Sequence, residues 1–197
     1  MIIKIIQTTV FIFTILLCTK MTSRGQMNNF VVNKVAVEEN GLVGFLHLPK
    51  VQRKLPGVIV IGGSEGGVFR AEQVSDSLAS KGYVCLSLAY FKIGTLPKVL
   101  EEIPLEYFKQ GIDYLKARAE VAKGRIGLIG TSKGAEAVLL LSSYYPDLSV
   151  AVVANVPSHV VWQSVSFTEP KSSCLFHSCR TVKPRERAES QTFMRAD

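Results

Sequence analysis

Residues that commonly build metal sites are scarce in this sequence, which has four cysteines and three histidines among 197 residues. No cysteine and histidine stand at the spacing of a zinc finger, so we predict no metal site. The sequence also lacks a basic motif with interleaved aromatic residues. We therefore predict no nucleic-acid binding from the formal net charge of +7, because the basic residues are scattered along the chain.

The composition favours one folded domain. Hydrophobic residues make up 47% of the chain, which is ample for a packed core and excludes a wholly disordered protein. No internal repeat is visible.

The N-terminus is apolar. Lys4 precedes an apolar stretch at residues 5–18, an arrangement typical of a secretory signal. No small-x-small cleavage site follows, so an uncleaved membrane anchor is the alternative. We predict a signal peptide or membrane anchor over residues 1–20 and a polar linker over 21–30. The expected location is outside the cytoplasm, exported or held at a membrane through residues 1–20.

Strand-like and helix-like patterns alternate after this linker. Two strand-like runs, 31–37 and 42–48, flank Asn40-Gly41, which is a hairpin signal. Short apolar runs predict buried strands at residues 57–61, 83–88, 125–129 and 149–154. Helical spacing predicts helices at residues 70–81, 105–118 and 133–145. The fold class is therefore α/β, a mostly parallel sheet with helices on both faces.

Two of these helices allow a prediction of the face that is buried. In the first, Ala71, Val74 and Leu78 recur at helical spacing, and Gly82 stands where a C-terminal cap belongs. The third is apolar nearly all round, which predicts burial on every side.

The strongest chemical motif is Gly130-Thr131-Ser132-Lys133-Gly134, placed between a predicted strand and a predicted helix. This is the context of a nucleophile elbow, a turn that presents a serine above the sheet and requires small residues two positions before and after it. We predict Ser132 as the nucleophile and the Lys133 backbone amide as a donor to a developing oxyanion. A glycine-rich helix start with a capping serine is the structural alternative.

A glycine-rich loop, residues 62–67, follows the predicted central strand. We predict that it supplies the second oxyanion amide, from Gly63 or Ser64, because glycines let the backbone approach a substrate closely. A phosphate-binding loop is the alternative, but neither G-x-x-x-x-G-K-[ST] nor G-x-G-x-x-G is present. We predict no metal or organic cofactor.

Five segments resemble the C-terminal domain of acyl-CoA thioesterases and bile acid-CoA:amino acid N-acyltransferases, an α/β-hydrolase family related to dienelactone hydrolases. The resemblance covers about residues 41–157 and is carried by residues 89–91, 96–98, 103–108, 126–130 and 132–136. It implies an acyl-enzyme at the elbow residue, Ser132. It also implies cleavage of thioesters or esters more than transfer to an amino acid, because the N-acyltransferase branch has cysteine at that place.

The acid and histidine of this family follow the serine at a distance that no residue here matches. We therefore expect residues 31–162 to be the N-terminal portion of an α/β-hydrolase domain whose later strands are missing through truncation. Residues 163–197 lack periodicity and predict a disordered tail. His159 is the one histidine with an approach to Ser132, although chain order in this fold argues against it as the base.

The predicted function is hydrolysis of acyl thioesters or carboxylic esters through an acyl-enzyme at Ser132, impaired by loss of the acid and histidine. One alternative is a catalytically inactive remnant that binds acyl groups or a partner. Another is a lactone hydrolase similar to dienelactone hydrolase, although that group favours cysteine at the elbow.

Overall fold

A computed structural model describes residues 29–158 of the chain. The predicted signal or anchor, nearly all of the linker and the predicted tail lie outside the described residues and stay predictions. Within 29–158, no helix is both long and apolar enough to cross a membrane.

The described chain alternates strands and helices in the predicted order. Its six strands are β1 (Val32–Glu39), β2 (Leu42–Pro49), β3 (Leu55–Ile61), β4 (Val84–Ala89), β5 (Val121–Thr131) and β6 (Ala151–Asn155). The helices are α1 (Phe69–Ser80), α2 (Leu105–Ala117) and α3 (Lys133–Tyr144), and a 3-10 turn spans Pro146–Leu148.

The strands form one sheet in the order β1-β2-β4-β3-β5-β6. The pairs β4-β3, β3-β5 and β5-β6 are parallel, whereas β1-β2 and β2-β4 are antiparallel. Asn40 (φ 52°) and Gly41 (φ 80°) join β1 to β2, and two consecutive positive φ values are those of a type I′ hairpin turn. The predicted hairpin and α/β sheet are confirmed.

The central strand β3 is covered on both faces. Ile59 and Ile61 belong to the main core with residues of α2 and α3, while Val58 and Val60 pack with Ala71 and Ala79 of α1. The helices therefore flank the sheet, α1 on one side and α2 with α3 on the other. This is why β3 needs apolar residues at every position rather than at alternate ones.

The predicted buried face of α1 is wrong at Val74. Ala71, Ser75 and Ala79 are its buried positions, whereas Val74 is 37% exposed. Small side chains at i, i+4 and i+8 let this helix pack closely on the sheet. This close packing stabilises the helix more than burial of the larger Val74 side chain would. The predicted cap at Gly82 is confirmed, since its φ is +93° and its N–H donates to the Ala79 carbonyl at 3.0 Å.

Two expectations of complete burial are wrong. In α3, Leu139 and Tyr144 are exposed, because this helix packs on β5, β6 and α2 from one side only. In β6, Val153 is 53% exposed, because this strand pairs with β5 alone and forms the edge of the described sheet. A short apolar run has the same sequence pattern at an edge as at the centre, so the sequence does not separate the two cases.

A buried histidine joins α1 to the sheet. His47 of β2 is 0% exposed, with Nδ1 2.7 Å from an Asp76 carboxylate oxygen and Nε2 3.0 Å from the Ser87 hydroxyl oxygen. Burial lowers the pKa of His47 below its ordinary value of 6.5, and the Asp76 carboxylate opposes that shift without cancelling it. Among charged groups nearby, Lys34 of β1 also lowers the pKa and Glu72 of α1 raises it.

The His47 contact predicts a stability that depends on pH. The folded chain binds fewer protons at His47 than the unfolded chain near pH 6.5, so the free energy of unfolding falls as the pH decreases through this value. The slope contributed by one such group is at most ~1.4 kcal/mol per pH unit. Urea unfolding of the wild type and His47→Gln between pH 7.5 and 5.5 measures it, and the variant should lose this part of the slope.

The variant Asp76→Asn provides an independent check of the same contact. Removing the carboxylate lowers the pKa of His47 further, so the loss of stability should extend to lower pH than in the wild type. Identical slopes in all three proteins would show that His47 does not titrate differently on folding.

Candidate active site

Ser132 lies on the turn between β5 and α3. Its backbone has φ 54° and ψ −115°, outside the regions that a serine ordinarily occupies, and its side chain is exposed. The Ser132 N–H donates to the Asn155 carbonyl at the end of β6 at 2.9 Å, which ties the turn to the neighbouring strand. A strained, exposed serine held by surrounding structure is the geometry of a nucleophile elbow.

Glycine is required on both sides of this turn. A Cβ on Gly130 would overlap the carbonyl group of Gly134, and a Cβ on Gly134 would overlap the carbonyl oxygens of Ile61 and Gly62. The obstacles are backbone atoms of neighbouring elements, which cannot rotate away. The two glycines of the motif therefore let α3 begin directly against the ends of β3 and β5.

We expect Gly130→Ala to destabilise the chain strongly and Gly127→Ala to be tolerated. Both glycines lie in β5, but a Cβ on Gly127 would have its nearest neighbour at 3.8 Å, an ordinary contact. Overpacking of a dense interior costs about 1–3 kcal/mol or more. Urea unfolding of the two variants checks this, and equal stabilities would mean that the turn is looser than its backbone contacts indicate.

The predicted oxyanion donors are brought to the serine. Lys133 is the first residue of α3, so its N–H has no acceptor within the helix. Gly63 lies beside the elbow, where a Cβ on it would be 3.1 Å from Ser132 Cβ. Ser64, the alternative donor, is exposed in the same loop. The structure thus places Gly63 next to Ser132, as the sequence analysis expected, while the catalytic roles stay predictions.

Tyr90 forms hydrogen bonds to the backbone of the glycine-rich loop, and the sequence alone did not predict this contact. Its hydroxyl is buried and donates to the carbonyls of Gly62 (3.2 Å) and Gly63 (3.0 Å). Burial raises the pKa of Tyr90 far above its ordinary value, and the nearby charges of Glu65 and Glu136 raise it further. The phenol therefore remains a hydrogen-bond donor at any physiological pH. The Gly62 carbonyl and the Gly63 N–H belong to the same planar peptide group. The hydrogen bond from Tyr90 therefore also fixes the direction of the Gly63 N–H.

A buried ion pair lies directly behind the nucleophile. Lys133 Nζ is 2.9 Å from Glu136 Oε1, and the side chains are 9% and 3% exposed. The Ser158 hydroxyl donates to the same carboxylate oxygen at 2.6 Å. Glu136 Oε2 has no hydrogen-bond partner within residues 29–158. The spacing of Lys133 and Glu136 by three positions is a sequence signal that could have identified the pair.

We expect Glu136→Gln to be far more destabilising than Asp113→Asn. The first change leaves the Lys133 ammonium buried without a counter-charge, which costs about 3–5 kcal/mol. The second breaks the exposed pair of Lys109 and Asp113, which contributes little to stability because water screens it. Thermal or urea unfolding of both variants measures the difference. A loss below 1 kcal/mol in Glu136→Gln would show that water reaches the pair.

The histidines do not assemble around Ser132 in the described region. His47 uses both ring nitrogens for Asp76 and Ser87 on the side of the sheet that α1 covers. His159, the residue considered as a base, lies outside the described residues. Between residues 29 and 158 no group of three or more His, Cys, Asp or Glu side chains forms a metal site.

Comparison with known proteins gives consistent likenesses. Residues 103–194 match the family described as BAAT / Acyl-CoA thioester hydrolase C terminal. The chain is 34% identical over 155 residues to acyl-coenzyme A thioesterase 2, mitochondrial, of Mus musculus, a match that covers 77% of this chain and 34% of that protein. It is 38% identical over 131 residues to acyl-coenzyme A amino acid N-acyltransferase 2 of Rattus norvegicus, covering 66% and 30%. The chain thus spans about a third of the length of these relatives.

Solved structures with a similar fold are more distant in sequence. A putative dienelactone hydrolase from Klebsiella pneumoniae superposes with a TM-score of 0.57 at 18% identity, over 73% of this chain and 66% of that one. An alpha/beta hydrolase from Penicillium gives 0.53, also at 18% identity, over 64% and 46%. The described strands and helices therefore have the α/β-hydrolase fold.

Proposed function

We propose that this chain hydrolyses acyl thioesters or carboxylic esters through an acyl-enzyme at Ser132, because residues 103–194 match the BAAT / acyl-CoA thioester hydrolase C-terminal family. The observation that carries the proposal is the strained, exposed conformation of Ser132 with Gly63 beside it. A serine used only as a helix cap needs no positive φ, and Ser132 makes no side-chain capping hydrogen bond to α3.

The reaction would proceed in two displacements. The Ser132 hydroxyl oxygen attacks the substrate carbonyl carbon and loses its proton. The carbonyl oxygen becomes an oxyanion that accepts hydrogen bonds from the Lys133 and Gly63 N–H groups. The tetrahedral intermediate then breaks its bond to the sulfur or oxygen of the leaving group, which departs with a proton. Water attacks the acyl-enzyme in the same way, releasing the carboxylic acid and restoring the serine. One preorganised donor of this kind contributes about 10²–10³ in rate.

The serine needs a group that accepts its proton, because a free hydroxyl is a poor nucleophile at neutral pH. His47 does not supply it, since Asp76 and Ser87 engage both of its nitrogens. His159 is the possible base from the sequence, although chain order in this fold argues against it.

A second candidate function is acyl or partner binding without turnover. The observation that favours it is the hydrogen bond from the Gly63 N–H to the Glu65 carboxylate, which already occupies this amide.

We also infer, from residues 1–20 alone, that the protein acts outside the cytoplasm or at a membrane.

A serine-reactive fluorophosphonate probe separates the two functions. We expect stoichiometric labelling of the wild type and of Ser77→Ala, a matched control at an exposed serine of α1, and no labelling of Ser132→Ala. Hydrolysis of a p-nitrophenyl acyl ester should fall at least about 1,000-fold in Ser132→Ala. If the wild type resists the probe but still binds a fatty acid, the hydrolase proposal fails and the binding function replaces it.

A further inference from the structure

A carboxylate of the glycine-rich loop occupies the amide that the proposed reaction needs. The Gly63 N–H donates to Glu65 Oε1 at 3.1 Å. We propose that Glu65 is a built-in occupant of the oxyanion site, which holds the Gly63 N–H in the resting chain and must turn away before a substrate carbonyl can bind there. This inference rests on the proposed function, because it takes Gly63 as an oxyanion donor.

The Glu65 carboxylate lies near the proposed nucleophile, Ser132, as well as near the Gly63 amide. A Cβ position on Gly63 lies 2.7 Å from Glu65 Oε2 and 3.1 Å from Ser132 Cβ. The carboxylate oxygen and the serine are thus separated by no more than the sum of these two distances. A carbonyl oxygen that developed charge here would meet a like charge in a partly buried site, where Coulomb repulsion is weakly screened.

A carboxylate and an oxyanion also make the same demand on the amide. Each is a negative oxygen that accepts a charge-assisted hydrogen bond from a backbone N–H. Glu65 therefore acts as an internal mimic of the reaction's oxyanion. Its presence indicates that the Gly63 N–H points into a position where a negative oxygen fits.

Arg70 of α1 gives Glu65 a partner other than the amide. The Glu65 side chain is 38% exposed, and Arg70 Nε already lies 3.9 Å from Oε1, a long ion pair. Gly66 (φ +75°) and Gly67 (φ +64°) follow directly and allow backbone angles that other residues rarely adopt. A turn of Glu65 toward Arg70 would free the Gly63 N–H and move the negative charge of the carboxylate away from Ser132.

The test follows the Gly63 amide of the full chain by ¹⁵N–¹H NMR in the wild type, Glu65→Ala and Glu65→Gln. Glu39→Ala, at an exposed position in the hairpin, is the control. In the wild type and the control, we expect the Gly63 resonance to shift as acid protonates the carboxylate, and in Glu65→Ala and Glu65→Gln we expect no such shift. A Gly63 resonance that is independent of pH in the wild type would overturn the contact.

Acetate then serves as the probe for the vacated site. A carboxylate tethered two residues away competes at a high effective concentration. We therefore expect Glu65→Ala to reach half-saturation, measured by the Gly63 shift, at an acetate concentration at least about tenfold lower than the wild type and Glu39→Ala. Equal half-saturation would overturn the inference and leave Glu65 as a structural turn residue only.

This readout separates the inference from the proposed function because it does not depend on the reactivity of Ser132. If Glu65→Ala binds acetate more tightly while the wild type resists the fluorophosphonate probe, the hydrolase proposal fails and the occupied amide stands. If Ser132 is labelled and acetate binding is unchanged by Glu65→Ala, the hydrolase proposal stands and the role of Glu65 is wrong.

Discussion

The close approach of three backbone segments at the start of α3 is the constraint on which the site depends. Gly134 packs its Cα against the carbonyls of Ile61 and Gly62, and Gly130 packs against the carbonyl of Gly134. Only residues without a Cβ allow this approach. It sets the end of β3 beside the end of β5, so that the loop after one strand and the turn after the other face the same point. The neighbourhood of Gly63 and Ser132 is therefore a consequence of backbone packing.

Charge then determines what this neighbourhood can do. The Lys133 and Glu136 pair is buried behind the turn, Tyr90 holds the loop carbonyls from below, and Glu65 engages the amide in front. The Lys133 ammonium offsets the buried Glu136 carboxylate and the phenol is neutral, so Glu65 is the carboxylate that brings negative charge next to the Gly63 N–H. The proposed reaction builds negative charge at the Gly63 N–H, and it therefore requires Glu65 to move, because the Glu65 carboxylate accepts a hydrogen bond from that N–H.

The sequence predicted the backbone of the site better than its side chains. Asn40-Gly41 and Gly130 to Gly134 have local steric requirements, so their turns were predictable from the residues alone. The orientation of α1 and the edge position of β6 depend on what each element packs against, which a single sequence does not state. The contacts of His47, Glu65 and Tyr90 join residues that are brought together only by the sheet, or by a particular loop conformation. The predictions for residues 1–20 and 163–197 lie outside the described residues.

Direct detection of the acyl-enzyme tests the account most directly. The protein is incubated with p-nitrophenyl butyrate, quenched with acid during turnover, and analysed by intact mass and peptide mapping. The account predicts one butyryl group on the peptide that contains Ser132 and none in Ser132→Ala. A butyryl group on a different residue, or ester hydrolysis by Ser132→Ala at the wild-type rate, would contradict it.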